Sequence, residues 1–253
     1  QTQTGAWWTM LFVDSGPLGR FPSLQPVSWV DGWPVAGIDG KGVITSKKPD
    51  VGNVFPVTQF PTSDDFNQAA LGMQWGWNHN PHPDKWSLTH RPGYLRLHTV
   101  KVVQDLREAP NTLTQRPFAH YDKAIPTIGT TKMEAAGMND GDIAGMTVFQ
   151  DPYAYIAVKQ ENGIRQLIMV NNGEVIASVP LRSTTVYLKA ILSNATESAC
   201  FQYSYDNKVF HPIGNDLKMK FSLTVFTGNK FGLFNYATGE PGGYADFDWF
   251  TMD

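Results

Sequence analysis

The stretch Gln74-Trp75-Gly76-Trp77-Asn78-His79-Asn80-Pro81-His82-Pro83 sets two indoles beside amide and imidazole groups, in a segment too rich in proline to be regular. Such a mixture suits a structural loop, or a polar subsite for a sugar whose C–H faces stack on rings and whose hydroxyls need partners. His79 and His82 make a poor metal pair, because no cysteine lies nearby and no third ligand follows at zinc spacing. Carboxylates suggest a different chemistry. Asp64 and Asp65 open a strand-rich region, and Asp246 and Asp248 are expected on one side of its last strand. Oxygen ligands from both ends of such a region could clamp a calcium ion, with Asp65, Asp246 and Asp248 as its candidates. N-capping, turn formation or solvated charge would use the same residues.

Strand alternation marks one further surface. In 184–192, Val186, Leu188, Ala190 and Leu192 share a face, while Tyr187 and Lys189 lie opposite. In 153–159, Tyr153 and Tyr155 share a face with Lys159, and Phe201, Tyr203 and Tyr205 repeat the pattern. A face that mixes tyrosine with lysine can stack on sugar rings, or its rings can pack under long loops. For an enzyme, no Gly-x-Ser-x-Gly, no His-Glu-x-x-His and no phosphate-cradling glycine loop is present. Paired carboxylates for glycoside hydrolysis leave no local signature and stay open.

The elements that must position these residues read as strands. Of 253 residues, 42% are hydrophobic and only 17% charged, with 23 Gly and 17 Pro, a balance that excludes disorder and coiled coil. The net charge of −3 gives no positive field for nucleic acid or anionic lipid. Cys200 is the single cysteine, so no disulfide framework and no cysteine-based zinc site can form within the chain. No apolar run approaches the roughly 18 residues of a spanning helix, so no membrane insertion is expected. Gln1-Thr2-Gln3-Thr4-Gly5 has no initiator Met and no features of a leader, and the chain is expected to start inside a longer polypeptide or after processing.

Two short strands, 6–13 and 21–29, flank the turn Asp14-Ser15-Gly16-Pro17-Leu18-Gly19, and their Trp7, Trp8, Phe12, Phe21, Trp29 and Trp33 need a covering partner. The glycine- and proline-rich stretch 34–61 predicts a crossing segment. From Asp64 onward, period-two segments recur at 94–100, 143–149, 153–159, 164–170, 184–192, 201–205, 220–226, 230–237 and 244–250, with turn signals such as Asn162-Gly163 between them. The expected fold is an all-β antiparallel sandwich.

Taken together, Trp7-Trp8, Gly19-Arg20, Leu24-Gln25-Pro26-Val27 and Asp31-Gly32-Trp33-Pro34-Val35 resemble the last blade of the five-bladed propeller of glycoside hydrolase family 43. Asp64-Asp65-Phe66, Gln74-Trp75, Trp77-Asn78-His79-Asn80-Pro81, Arg91-Pro92-Gly93-Tyr94-Leu95-Arg96-Leu97, Asn111-Thr112-Leu113-Thr114-Gln115-Arg116 and Ala245-Asp246-Phe247-Asp248-Trp249-Phe250 resemble that family's C-terminal concanavalin A-like β-sandwich, a jelly roll. The resemblance implies a partial propeller blade over 1–45, a linker over 46–62 and the sandwich over 63–253. It also implies that the general acid, the general base and the third carboxylate of these inverting β-xylosidases and α-L-arabinofuranosidases lie upstream, so no catalytic residue falls within the chain.

Arg20 matches an arginine that grips sugar hydroxyls in the propeller funnel, and the 107–118 stretch, with Arg116, is expected to contact the propeller. The resemblance raises calcium in the sandwich, with Asp65 and Asp248 foremost. Trp75, Trp77, Asn78, Arg116, Tyr153, Tyr155, Tyr187 and Tyr203 are the remaining candidates for touching xylan or xylo-oligosaccharide. The implied role is a xylan-binding or active-site-completing module, not catalytic alone. Its alternatives are one chain of a split or nicked hydrolase whose propeller is a separate partner, and a purely structural sandwich. A secreted or periplasmic setting is expected from a polysaccharide target.

Overall fold

The fold is a computed structural model that describes every residue except 57, 119–123, 224 and 226. It contains one small sheet and one large two-sheet sandwich, with no α-helix among the described residues. Strands β1 (Trp7–Asp14), β2 (Arg20–Val30) and β3 (Trp33–Ala36) form the small antiparallel sheet. Asp31 and Gly32, both at positive φ (48° and 81°), close the tight turn between β2 and β3, a conformation that glycine and aspartate tolerate. Much of this sheet's apolar surface is bare, with Phe12 62% and Trp33 76% exposed.

The described residues of 37–62 cross from the small sheet to the sandwich without forming a strand, whereas 34–36, the start of the expected crossing, belong to β3. Buried Gln25 fastens the start of this crossing. Its Nε2 donates to the Val43 carbonyl at 3.0 Å, and its Oε1 accepts from the Val43 N–H at 2.8 Å.

The sandwich strands are β4 (Trp75–Trp77), β5 (Trp86–Ser87), β6 (Leu95–His98), β7 (Leu113–Gln115), β8 (Thr127–Glu134), β9 (Asp142–Phe149), β10 (Ala154–Glu161), β11 (Ile164–Asn171), β12 (Glu174–Pro180), β13 (Thr185–Ser193), β14 (Ser198–Ser204), β15 (His211–Lys218), β16 (Lys230–Ala237) and β17 (Tyr244–Met252). One seven-stranded sheet runs β12-β11-β10-β9-β16-β7-β4, and the other β15-β14-β13-β8-β17-β6-β5. Their inner faces share one core. Ala154, Ile156 and Val158 of β10 meet Val186, Leu188, Ala190 and Leu192 of β13 there, together with Phe231, Phe247 and Phe250.

The first sheet is covered on its other face as well. Val103, Leu106 and Ala109, from the long connection between β6 and β7, close over Tyr153, Tyr155, Phe234 and Tyr236 to make a second apolar core. That connection is therefore a third layer, which dries the second face over β9, β10 and β16 and leaves the edge strand β12 largely exposed.

The sequence misplaces one strand and overlooks several. Lys220–Leu223 is not a strand, and the rest of that expected segment includes residues 224 and 226, outside the described residues. The edge strand is instead β15, whose Pro212 and Gly214 disguise it, as suits an edge position. Strand β8 escapes notice because Met133 is the one large apolar residue among its inward positions, the others being Thr127, Gly129 and Thr131. A Cβ on Gly129 would stand 2.9 Å from the Phe231 ring, so the small residue makes room for a large one across the core.

Candidate functional site

The turn between β1 and β2 is locked against the sandwich. The Asp14 carboxylate accepts from the Gly16 N–H at 2.8 Å, Pro17 opens a 3₁₀ turn over Gly16–Leu18, and Leu18, 3% exposed, joins the inner core of the sandwich. Gly19 and Gly228 allow this approach. Both adopt positive φ (81° and 69°), and a Cβ on Gly228 would meet the Leu18 carbonyl carbon at 2.3 Å. Buried Asn229 donates through its main-chain N–H (2.8 Å) and its Nδ2 (2.7 Å) to one acceptor, the Pro17 carbonyl.

Arg20 follows this locked turn. Its guanidinium lies 4.7 Å from the Phe12 ring centroid and 5.7 Å from that of Phe221, one ring from each module, and its Nε is 3.9 Å from Asp14. Arg116, at the end of β7, donates through Nη2 to the carbonyls of Arg20 (3.1 Å) and Leu18 (3.3 Å), and its cation lies 5.1 Å from the Phe21 ring. Burial holds the Arg116 pKa below the usual arginine range, and burial and the Arg116 charge both push the Lys230 amine down. The other side of Arg116 lines an apolar groove of about 450 Å³ with Phe60, Met73 and Phe118. The junction thus offers a fixed, partly exposed guanidinium, able to donate to paired hydroxyls. Asp14 is a carboxylate that approaches it among the described residues.

Other expected site residues lie elsewhere. Trp75 donates its indole N–H to Asp64 at 2.8 Å and packs between Phe66 and Phe250. Trp77 packs on Trp86, and the Asn78 main-chain N–H donates to the Thr112 carbonyl at 3.0 Å. His79 bonds the Arg107 carbonyl at 2.6 Å, so residues 78–82 are a loop laid on the β6–β7 connection, whereas Trp75–Trp77, expected to be irregular, form strand β4 against β7.

The tyrosine face needs correcting at three positions. Tyr153 and Tyr155 are 2% and 3% exposed under the third layer, and the Tyr155 hydroxyl meets that of Tyr236 at 3.0 Å, which leaves no ring face for a sugar. Tyr203 packs partly against the inner core rather than facing out with Tyr187. Tyr187 stays partly exposed, 6.1 Å from the Trp249 ring.

The three carboxylates named for calcium are not gathered into one set. Asp65 is exposed and accepts from the Asn67 N–H at 3.1 Å. Buried Asp246 is gripped by Arg96 (2.7 and 2.8 Å) and Arg91 (3.1 Å), and Asp248 pairs with Lys132 at 2.6 Å. Among the described residues no three His, Cys, Asp or Glu side chains gather as a metal site. With Asp246 and Asp248 already neutralised by guanidinium and ammonium groups, the three do not, as a set, fit an ion that takes six to eight converging oxygens.

Sequence reasoning missed Phe221, Gly228 and Asn229. Their only signal is the dipeptide Gly228-Asn229 in a turn-like stretch, and its partner lies more than two hundred residues away.

Two facing antiparallel sheets with a common core define a concanavalin A-like sandwich, here carrying a small accessory sheet keyed into one end. The chain belongs to the family described as the β-xylosidase C-terminal concanavalin A-like domain, whose model matches residues 63–253. Over its whole length it is 35% identical to a β-xylosidase of Formosa agariphila, of which it covers 46%. It is 28% identical, again over its whole length, to a non-reducing end α-L-arabinofuranosidase of Bacteroides ovatus, of which it covers 49%. A bifunctional GH43-CE protein of Bacteroides eggerthii superposes on 99% of the chain with TM-score 0.88 and 40% identity, the match covering 33% of that structure. The chain therefore spans about half the length of these curated relatives.

Proposed function

We propose that this chain is the C-terminal part of a glycoside hydrolase that removes xylose or arabinose from xylan-derived sugars, and that its sandwich completes the active site instead of performing hydrolysis. The observation that carries this reading is the double hold on Arg20, whose carbonyl is bonded by Arg116 and whose side chain lies between Phe12 and Phe221. A guanidinium held from two modules is pre-organised to grip vicinal hydroxyls. The acid and base that cleave the bond belong to the preceding part of the polypeptide. That part also covers the bare apolar face around Phe12 and Trp33. A polymeric glycan as target puts the enzyme outside the cytoplasm.

The test is made on the parent enzyme with aryl β-D-xyloside and aryl α-L-arabinofuranoside. Arg20→Ala lowers kcat/KM by about 10²-fold or more while the fold is retained. Unchanged kinetics in a folded Arg20→Ala enzyme would overturn the reading.

A further inference from the structure

We propose that the outer face of the second seven-stranded sheet carries a separate binding site for a neutral xylo-oligosaccharide, centred on Trp249. The site lies on the sandwich itself and does not involve Arg20. The choice of xylan-type chains among neutral glycans rests on the function proposed above, whereas the groove does not.

The register of β17, β8 and β13 builds its floor. Trp249 pairs with Lys132, and Lys132 with Tyr187, while in the next row Thr251 pairs with Thr130 and Thr130 with Lys189. A bulge in β17 between Phe247 and Trp249 alters the alternation, so that Asp248 and Trp249 are both partly exposed between buried Phe247 and Phe250. The Thr131 hydroxyl donates to the Trp249 carbonyl at 2.6 Å and fixes the backbone there. Bulges of this kind re-aim a side chain. Here the indole is brought 6.1 Å from the Tyr187 ring, with the planes 41° apart.

Two recesses meet at Trp249, which with Thr251 borders both. One, of about 510 Å³, is walled by Asp65, Gln68 and Gln74, and the other, of about 350 Å³, by Lys189, Asn207 and Phe210. Each falls within the size range of small-ligand sites, about 300–1,000 Å³. An aromatic platform between two recesses edged by amides, hydroxyls and carboxylates suits a chain of rings with apolar faces and hydroxyl rims.

The charges select a neutral ligand. Lys132 is occupied by Asp248 at 2.6 Å, and the Lys189 ammonium sits 3.5 Å from the Phe210 ring centroid. Asp64 and Asp65 line the first recess and Asp253 the second, which disfavours phosphates and uronic acids.

The test is a titration of the intact chain with xylohexaose, cellohexaose and polygalacturonate, read by calorimetry and by the indole N–H resonance lost in Trp249→Phe. Xylohexaose is expected to bind and to shift that resonance. Trp249→Ala and, independently, the surface variant Tyr187→Ala weaken binding by about tenfold or more. Arg20→Ala leaves the xylohexaose-induced shift of the Trp249 resonance in place, whatever it removes at the junction, and Trp249→Ala in the parent enzyme leaves cleavage of a small aryl glycoside unchanged, so failure here and failure of the Arg20 reading are told apart. The proposal is overturned by absence of a shift at saturating xylohexaose, by full binding in Tyr187→Ala and Trp249→Ala, by preference for cellohexaose or polygalacturonate, or by self-association that buries Trp249.

Discussion

Arg116 reaches across 96 positions of sequence to donate a hydrogen bond to the main-chain carbonyl of Arg20, at 3.1 Å. The bond joins the end of a short sandwich strand to the first residue of β2, so the position of one arginine depends on the charge and reach of another.

Replacing Arg116 by alanine removes both carbonyl contacts and the stacking on Phe21. Stability is expected to fall by about 1–3 kcal/mol in urea denaturation. On the function proposed above, displacement of Arg20 is expected to lower kcat/KM of the parent enzyme by about 10²-fold. Arg116→Lys recovers little, because an ammonium cannot reproduce the planar fork.

Gly228→Ala places a methyl group against the Leu18 carbonyl in a backbone conformation that alanine resists. The expected outcome is release of the β1–β2 turn with the sandwich intact. Hydrogen exchange should show protection lost at Leu18 and Gly19 and kept in β9, β10 and β16. Equal protection in the variant would falsify the keyed turn.

Burial pushes the Asp142 carboxyl up to about 6 from 3.8, and among the described residues the Asn139 N–H is its one bonded partner and Oδ1 has no hydrogen bond. The native state thus holds this proton more tightly than the unfolded chain. The contribution is favourable at acid pH and is lost as pH rises from about 4 through 6, by at most about 3 kcal/mol. His98, whose pKa burial lowers, acts in the opposite sense up to pH 6.5. Asp142→Asn isolates the effect: the difference in unfolding free energy between variant and parent chain should grow in favour of the variant from pH 4 to 6.5.

Asp246→Ala leaves Arg91 and Arg96 without their shared carboxylate. A loss of about 3 kcal/mol is expected, measured by chemical denaturation, since one side of a nearly buried pair is removed. Calcium added to the intact chain is not expected to act through this carboxylate, so the loss should be the same with calcium or chelator present.

Leu106→Ala opens the cover over Tyr153 and Tyr155. A cost of about 2–5 kcal/mol is expected from the cavity alone, with no change in xylohexaose affinity. A gain in sugar binding would show that those rings are a hidden platform.

The sandwich is legible in the sequence wherever large apolar residues alternate. Val186, Leu188, Ala190 and Leu192 fall on the inner face as the pattern predicts, and Tyr153 and Tyr155 fall opposite Ala154, Ile156 and Val158. Periodicity assigns a face but does not say what covers it, which is why the sequence leaves sugar stacking and packing under long loops both open, and the second holds for Tyr153 and Tyr155. The irregular 99–112 connection that covers it has no period to read. Strand β8 is hidden for a related reason, its inward Gly129 and Thr131 being chosen to fit Phe231 and the bulge in β17. At the junction, Arg20 and Arg116 can each be picked out from their motifs, but their meeting cannot, because Gly19, Gly228 and Asn229 make it possible only through contacts between distant turns.

Leu18 belongs to the small sheet by sequence and to the core of the sandwich by packing. The two modules are in that sense joined like a tenon in a mortise. Melting the sandwich empties the socket that seats the turn, and the guanidinium two residues further on loses its position in the same step. On the function proposed above, thermal inactivation and unfolding of the C-terminal region should then be a single cooperative event, and stabilising the sandwich far from any sugar would extend the working temperature of the parent protein.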